Sequence, residues 1–122
     1  MVGYVTLGTN NLPRAVAFYD ALLGELGGKR FIETERLIAW AGGPGTAALS
    51  VVVPYDGKPA TVGNGVMVAL ATGSREKVDA IYAKAMSLGA MSEGEPGPRG
   101  DNFYAGYFRD LDGNKLNVFF MG

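Results

Sequence analysis

Asp110, Asp112 and Asn114 alternate along one short stretch, a spacing that could turn three oxygen-bearing side chains toward a hard cation. A calcium loop of that kind needs glycine at its sixth place and a bidentate Glu at its twelfth. Here Gly113 comes fourth and Met121 stands twelfth, so the stretch reads as a hairpin turn. Gly42-Gly43-Pro44-Gly45 has the glycine content of a phosphate-binding loop but not its lysine, and reads as a turn between strands. Arg99-Gly100-Asp101 matches an adhesion tripeptide, a match short enough to arise by chance. The candidate acids and bases are Tyr4, Glu33, Glu35 and Glu95, and none has a partner visible in the sequence. Of the strand-borne cations Arg30, Arg36, Arg109 and Lys115, any could clamp an anion, but Glu33, Glu35 and Asp110 stand close by as ordinary surface partners.

The chain contains no histidine and no cysteine. Imidazole is the commonest general base and transition-metal ligand, so serine triads, His-assisted hydrolysis and His- or Cys-ligated zinc are excluded. Eleven basic and 12 acidic residues give a formal charge of −1, with no run of like charge. Nucleic acid and anionic membrane are therefore not expected as partners. The opening Met1-Val2-Gly3-Tyr4-Val5 has neither the basic nor the apolar region of a secretory signal, and no apolar run is long enough for a membrane span. The expectation is a cytoplasmic protein, for which the lack of cysteine is suitable.

The elements that must position these residues repeat. Tyr4-Val5-Thr6-Leu7-Gly8 resembles Met67-Val68-Ala69-Leu70-Ala71, each alternates with period two, and each precedes a helix-like stretch. Asn10-Asn11 and Pro13 announce the first helix, with Ala15, Phe18, Tyr19, Leu22 and Leu23 at helical spacing and Gly24 or Gly27-Gly28 as its stop. Ser74 and Glu76 announce the second, whose apolar face is Val78, Ile81, Tyr82, Ala85 and Leu88, ending at Gly89. Three short strands follow each helix, near 29–34, 36–41 and 47–53 and near 90–94, 103–109 and 115–120. The predicted organisation is one domain over 1–122, with repeat one at 1–53, a Pro- and Gly-bearing linker at 54–63 and repeat two at 64–122. The fold class is α+β: two βαβββ repeats forming a partly open, curved sheet barrel with a central cleft for a small ligand.

VGYVTLGTNNLPRAVAFYDALLGELG resembles the opening of glyoxalase/bleomycin-resistance/extradiol-dioxygenase proteins of the vicinal oxygen chelate superfamily, and GNGVMVALAT and YFRDLDGNKLNVFF resemble the start and end of their second repeat. The resemblance implies a metal on the concave sheet face, held by a His on the first strand of each repeat and a Glu on the last strand of one or both. The corresponding residues here are Tyr4, Met67, Asn117 and Ser50, so every one of these positions departs from the pattern. A phenol, a thioether, an amide and a hydroxyl bring no formal charge to a divalent ion, and no metal or other cofactor is expected.

Strand parity names the candidate ligand residues. With Val5, Leu7, Val66, Val68 and Leu70 toward the helices, Tyr4, Thr6, Met67 and Ala69 point toward the cleft; with Leu116, Val118 and Phe120 likewise toward the helices, Asn117 and Phe119 point inward, and Ser50 joins them as the position the resemblance implies. Trp40 and Tyr107 occupy matching places by sequence and are included, with hairpin geometry left to decide their direction. The reading favoured is a metal-free protein that binds a small, partly aromatic molecule, with no catalytic residue assigned. The alternatives are a lyase- or dioxygenase-related enzyme with an atypical site, and a non-catalytic dimerisation module with a filled cleft. A homodimer is expected, as is common in proteins of this resemblance.

Overall fold

A computed structural model describes residues 1–122, which divide into two compact units, 1–62 and 63–122. In the first unit the order is β1 (Tyr4–Gly8), α1 (Leu12–Gly24), β2 (Lys29–Glu33), β3 (Leu37–Ala41) and β4 (Ala48–Val52). The strands form an open sheet in the order β1-β4-β3-β2, with β1 parallel to β4 and the hairpin partners antiparallel. The helix starts where Asn11 Oδ1 accepts the Arg14 N–H, and Pro13 sits in the first turn, where a missing donor costs nothing. At the far end, Gly27 at φ 78° turns the chain, and Gly28 N–H donates to the Leu23 carbonyl, satisfying a group that the helix leaves open. Ala15, Phe18, Tyr19, Leu22 and Leu23 form the buried face of α1, as their spacing predicts.

The second unit repeats this plan with β5 (Val68–Ala71), α2 (Arg75–Ser87), β6 (Met91–Pro98), β7 (Phe103–Arg109) and β8 (Lys115–Met121). Its sheet runs β5-β8-β7-β6, and β5 is parallel to β8. Ser74 caps α2 by accepting the Lys77 N–H, and Val78, Ile81 and Ala85 are buried. Each unit is thus a βαβββ module with one helix on one sheet face, and neither sheet closes on itself.

Two details differ from the sequence reading. The strand β6 runs on to Pro98 because register shifts at Ser92/Gly94 and Gly94/Gly97 absorb its glycines and Pro96 without ending it. The strand β5 starts only at Val68, after a turn in which the Val66 N–H donates to the Gly63 carbonyl, so Val66 and Met67 both precede the strand and Val66 is exposed instead of facing the helix. The segment Asp110–Asn114 is a turn knitted by Asp110: its Oδ1 accepts the Asp112 and Asn114 amides and its Oδ2 the Asn114 side chain.

Candidate ligand-binding sheet faces

In each unit the helix covers one sheet face, and strand register tells which side chains stand on the other. In the first unit Leu7 pairs with Val51 and Ile38 with Val51, and all three are buried toward α1. The opposite face therefore carries Tyr4, Thr6, Ala39 and Ser50, with Thr6 and Ala39 flanking Ser50 on either side. Tyr4, on the edge strand, is 63% exposed, whereas Ser50 is wholly buried and its hydroxyl has no hydrogen-bond partner.

Trp40 does not belong to that face. It pairs with Leu49, packs against Tyr19 of α1 with ring centroids 5.8 Å apart, and donates its Nε1–H to Asp20 Oδ1 at 2.8 Å. Its true counterpart is Phe108, which pairs with Leu116 as Trp40 pairs with Leu49, while the counterpart of Tyr107 is Ala39. Matching Trp40 with Tyr107 by sequence is one residue out, and one residue exchanges the two faces of a strand.

In the second unit Tyr104 donates its hydroxyl to Asp79 of α2, and the Gly106 Cα lies under Tyr82 of α2, which fixes Tyr104, Gly106 and Phe108 as the helix side. The Asp79 bond holds the Tyr104 hydroxyl above its ordinary pKa. The other face presents Phe103, Ala105, Tyr107 and Arg109 from β7, Lys115, Asn117 and Phe119 from β8, and Ala69 and Ala71 from β5. Phe103 and Phe119 stack at 5.3 Å. Asn117 lies between Ala69 and Tyr107, buried, with Oδ1 lacking any partner. Buried polar atoms nearly always find a hydrogen bond, and an exception calls for a missing partner.

Of the strand-borne cations, Arg109 and Lys115 meet at one end of this face, where Arg99, which the sequence does not single out as a cation, joins them. Arg99 folds back over β6 so that its guanidinium lies 5.5 Å from the Tyr107 ring centre, and Lys115 Nζ lies 5.8 Å from the same ring. Arg109 donates to Glu93 at 2.6 Å and holds that carboxyl below the usual range, with Lys115 adding to the effect. Only the glycines of β6 hint at the seat of Arg99, since a strand without Cβ atoms leaves room for a returning side chain.

The first unit also has a depression of about 530 Å³ lined by Lys29, Phe31 and the Gly42–Thr46 turn.

No group of three or more His, Cys, Asp or Glu side chains gathers anywhere in the chain. At the positions where the resemblance implies a metal, the donors are the Tyr4 phenol and Ser50 hydroxyl in one unit and the Met67 thioether and Asn117 amide in the other. These neutral groups do not fit a divalent ion, which draws its affinity from carboxylate, imidazole or thiolate.

The family model of the Glyoxalase/Bleomycin resistance protein/Dioxygenase superfamily matches residues 1–118. A glyoxalase/bleomycin resistance protein from Albidiferax ferrireducens T118 is 34% identical, superposes with a TM-score of 0.92, and the match covers 100% of this chain and 99% of that one. A family enzyme from Burkholderia phytofirmans PsJN, 15% identical, gives a TM-score of 0.80 over 98% of each chain. A lactoylglutathione lyase from Agrobacterium tumefaciens, 19% identical, gives 0.73 over 98% of this chain and 92% of that one. At these last two identities the likeness is one of fold. None of the curated proteins matches this chain.

Proposed function

Because the chain belongs to the Glyoxalase/Bleomycin resistance protein/Dioxygenase superfamily, we propose that it is a metal-free member that binds a small, partly aromatic molecule on its helix-free sheet faces. The observation that carries this reading is the pair of buried, unpartnered side-chain oxygens of Ser50 and Asn117, one in each unit. A ligand that donates to them removes a cost of about 1–3 kcal/mol for each unsatisfied group. The surroundings suit such a ligand: Tyr4 and Thr6 beside Ser50, and Tyr107, Phe119 and Met67 on or next to the strands around Asn117.

The superfamily includes lyases and dioxygenases, and an enzymatic reading needs a base or a charged metal donor. Glu33 accepts from Arg30 at 2.9 Å and is engaged as an ion-pair partner. Binding without chemistry asks for nothing the chain lacks. The proposal includes a homodimer, supported by the open edge strands of both sheets and by the frequency of dimers in the superfamily, and a cytoplasmic location, supported by the cysteine-free sequence. No helix is long and apolar enough to cross a membrane.

Native mass spectrometry of the purified protein, with elemental analysis of the same sample, tests the reading. A co-purifying small molecule and no stoichiometric metal are expected; a tightly held transition metal at one per chain overturns it. Light scattering at micromolar concentration checks the dimer.

A further inference from the structure

The helix-free face of the second sheet is charged in a way its own residues do not balance. Arg99, Arg109 and Lys115 bring three cations, and Glu93, hydrogen-bonded to Arg109, is the carboxylate paired among them. Arg109 and Lys115 are direct cross-strand neighbours, a like-charge arrangement that costs stability in a sheet. Arg99 makes its hydrogen bonds to the backbone carbonyls of Glu95 and Pro98, and its charge meets no carboxylate.

The position of Arg99 is built. A Cβ on Gly97 would lie 3.1 Å from its Nη1, and one on Gly94 would lie 3.4 Å from its Nη2, so the guanidinium lies flat where two side chains are missing. Its own amide is fixed by a bond to the Phe103 carbonyl. Tyr107 therefore carries a cation from each of two strands' ends on its ring, and sits in register with Asn117. Along β8 the face changes character in order: Lys115, then the unpartnered oxygen of Asn117, then Phe119 stacked on Phe103. The charges of Arg99 and Lys115 both fold onto the ring of Tyr107, the residue paired with Asn117, so the anion site adjoins the Asn117 oxygen, and Phe119 follows about 6.7 Å further along the strand.

We infer that this face recognises an amphipathic acid: an anionic head, carboxylate or phosphate, at Arg99 and Lys115, a hydroxyl or N–H donor at Asn117, and an apolar or aromatic tail against Phe119. The inference rests on the small-molecule reading above and adds the chemical class of the ligand. Planar guanidinium and ammonium are both suited to carboxylate or phosphate oxygens, and the sheet offers no acidic side chain to do that work at Arg99.

The probe is 3-phenyllactate, which has carboxylate, hydroxyl and phenyl in this order, set against its neutral amide, 3-phenyllactamide, in amide NMR titrations of the full chain. The acid is expected to shift the amides of Tyr107, Lys115 and Asn117 saturably and to bind at least tenfold more tightly than the amide. Arg99→Gln and Lys115→Gln should each remove most of that difference while leaving spectral dispersion unchanged. Acetate and inorganic phosphate titrated in parallel identify the head group, the tighter of the two naming it. Equal affinity of acid and amide overturns the anion inference and leaves small-molecule binding standing. Wild-type affinity for the acid in both variants also overturns it, as does saturation by neither compound. In that last case a neutral co-purifying molecule keeps the binding reading alone.

Discussion

Ser50 and Asn117 hold the same register position in their two sheets. Ser50 lies between Thr6 and Ala39, Asn117 between Ala69 and Tyr107, and each has a buried side-chain oxygen with no hydrogen-bond partner. Two modules of one plan thus keep an unmet hydrogen bond at one topological point. An unsatisfied buried polar group is a cost to the ligand-free fold, so removing it should help. Ser50→Ala and Asn117→Leu are expected to leave stability equal or to raise it by up to about 1 kcal/mol, read from urea midpoints, while weakening retention of any co-purified ligand. A loss of stability well beyond ~1 kcal/mol in both would show that the oxygens serve the fold instead.

Asp20 links helix to sheet by receiving both Arg30 and the Trp40 indole. The Arg30 hydrogen bond, chiefly, holds its carboxyl below the ordinary value of 3.8. A folded-state pKa that is depressed adds stability above the unfolded value, and this is lost as pH falls through the folded value. Asp20→Asn should therefore flatten the acid limb of a stability profile measured from about pH 5 to pH 2. An unchanged slope in the variant would assign the acid sensitivity elsewhere.

The two βαβββ modules were legible because Val5 and Leu7, Val68 and Leu70 alternate cleanly and because Asn11 and Ser74 are caps with proper helical spacing behind them. The candidate face was legible at Tyr4 and Thr6 and at Asn117 and Phe119, where parity follows directly from strand alternation, and at Ser50 through the family resemblance. Trp40 was not, because hairpin register depends on turn geometry and a slip of one residue reverses every side chain. Nor was the seat of Arg99, which depends on two bulges in β6 that bring Gly94 and Gly97 under one returning side chain. Tertiary placement of that kind leaves no periodic trace in sequence.

Gly106 packs closely under Tyr82 of α2. A Cβ there would lie 3.1 Å from both Tyr82 Cδ2 and Pro96 Cγ. Gly106→Ala should cost about 1–3 kcal/mol by overpacking, and Gly106→Val more. Gly24→Ala is the control: nothing lies within 4 Å of its Cβ, and it ends α1. A gain of up to about 1 kcal/mol is expected there from reduced chain entropy. Equal effects at the two sites in thermal unfolding would contradict the packing described.

Trp40 is the chain's single tryptophan, 2% exposed and bound through Nε1 to Asp20 on the helix side of its sheet. Its emission should be that of a buried indole and should move to longer wavelength only on unfolding. A ligand seated on the helix-free faces does not touch it, so saturating 3-phenyllactate should leave its intensity and wavelength nearly constant. Asp20→Ala, by contrast, removes the indole's acceptor without emptying the ligand faces. That variant should lose about 1–2 kcal/mol, alter the emission and keep the titration seen at Tyr107 and Asn117. Strong quenching of the wild-type indole by the ligand, with no change at those two amides, would move the binding surface to the opposite side of the first sheet.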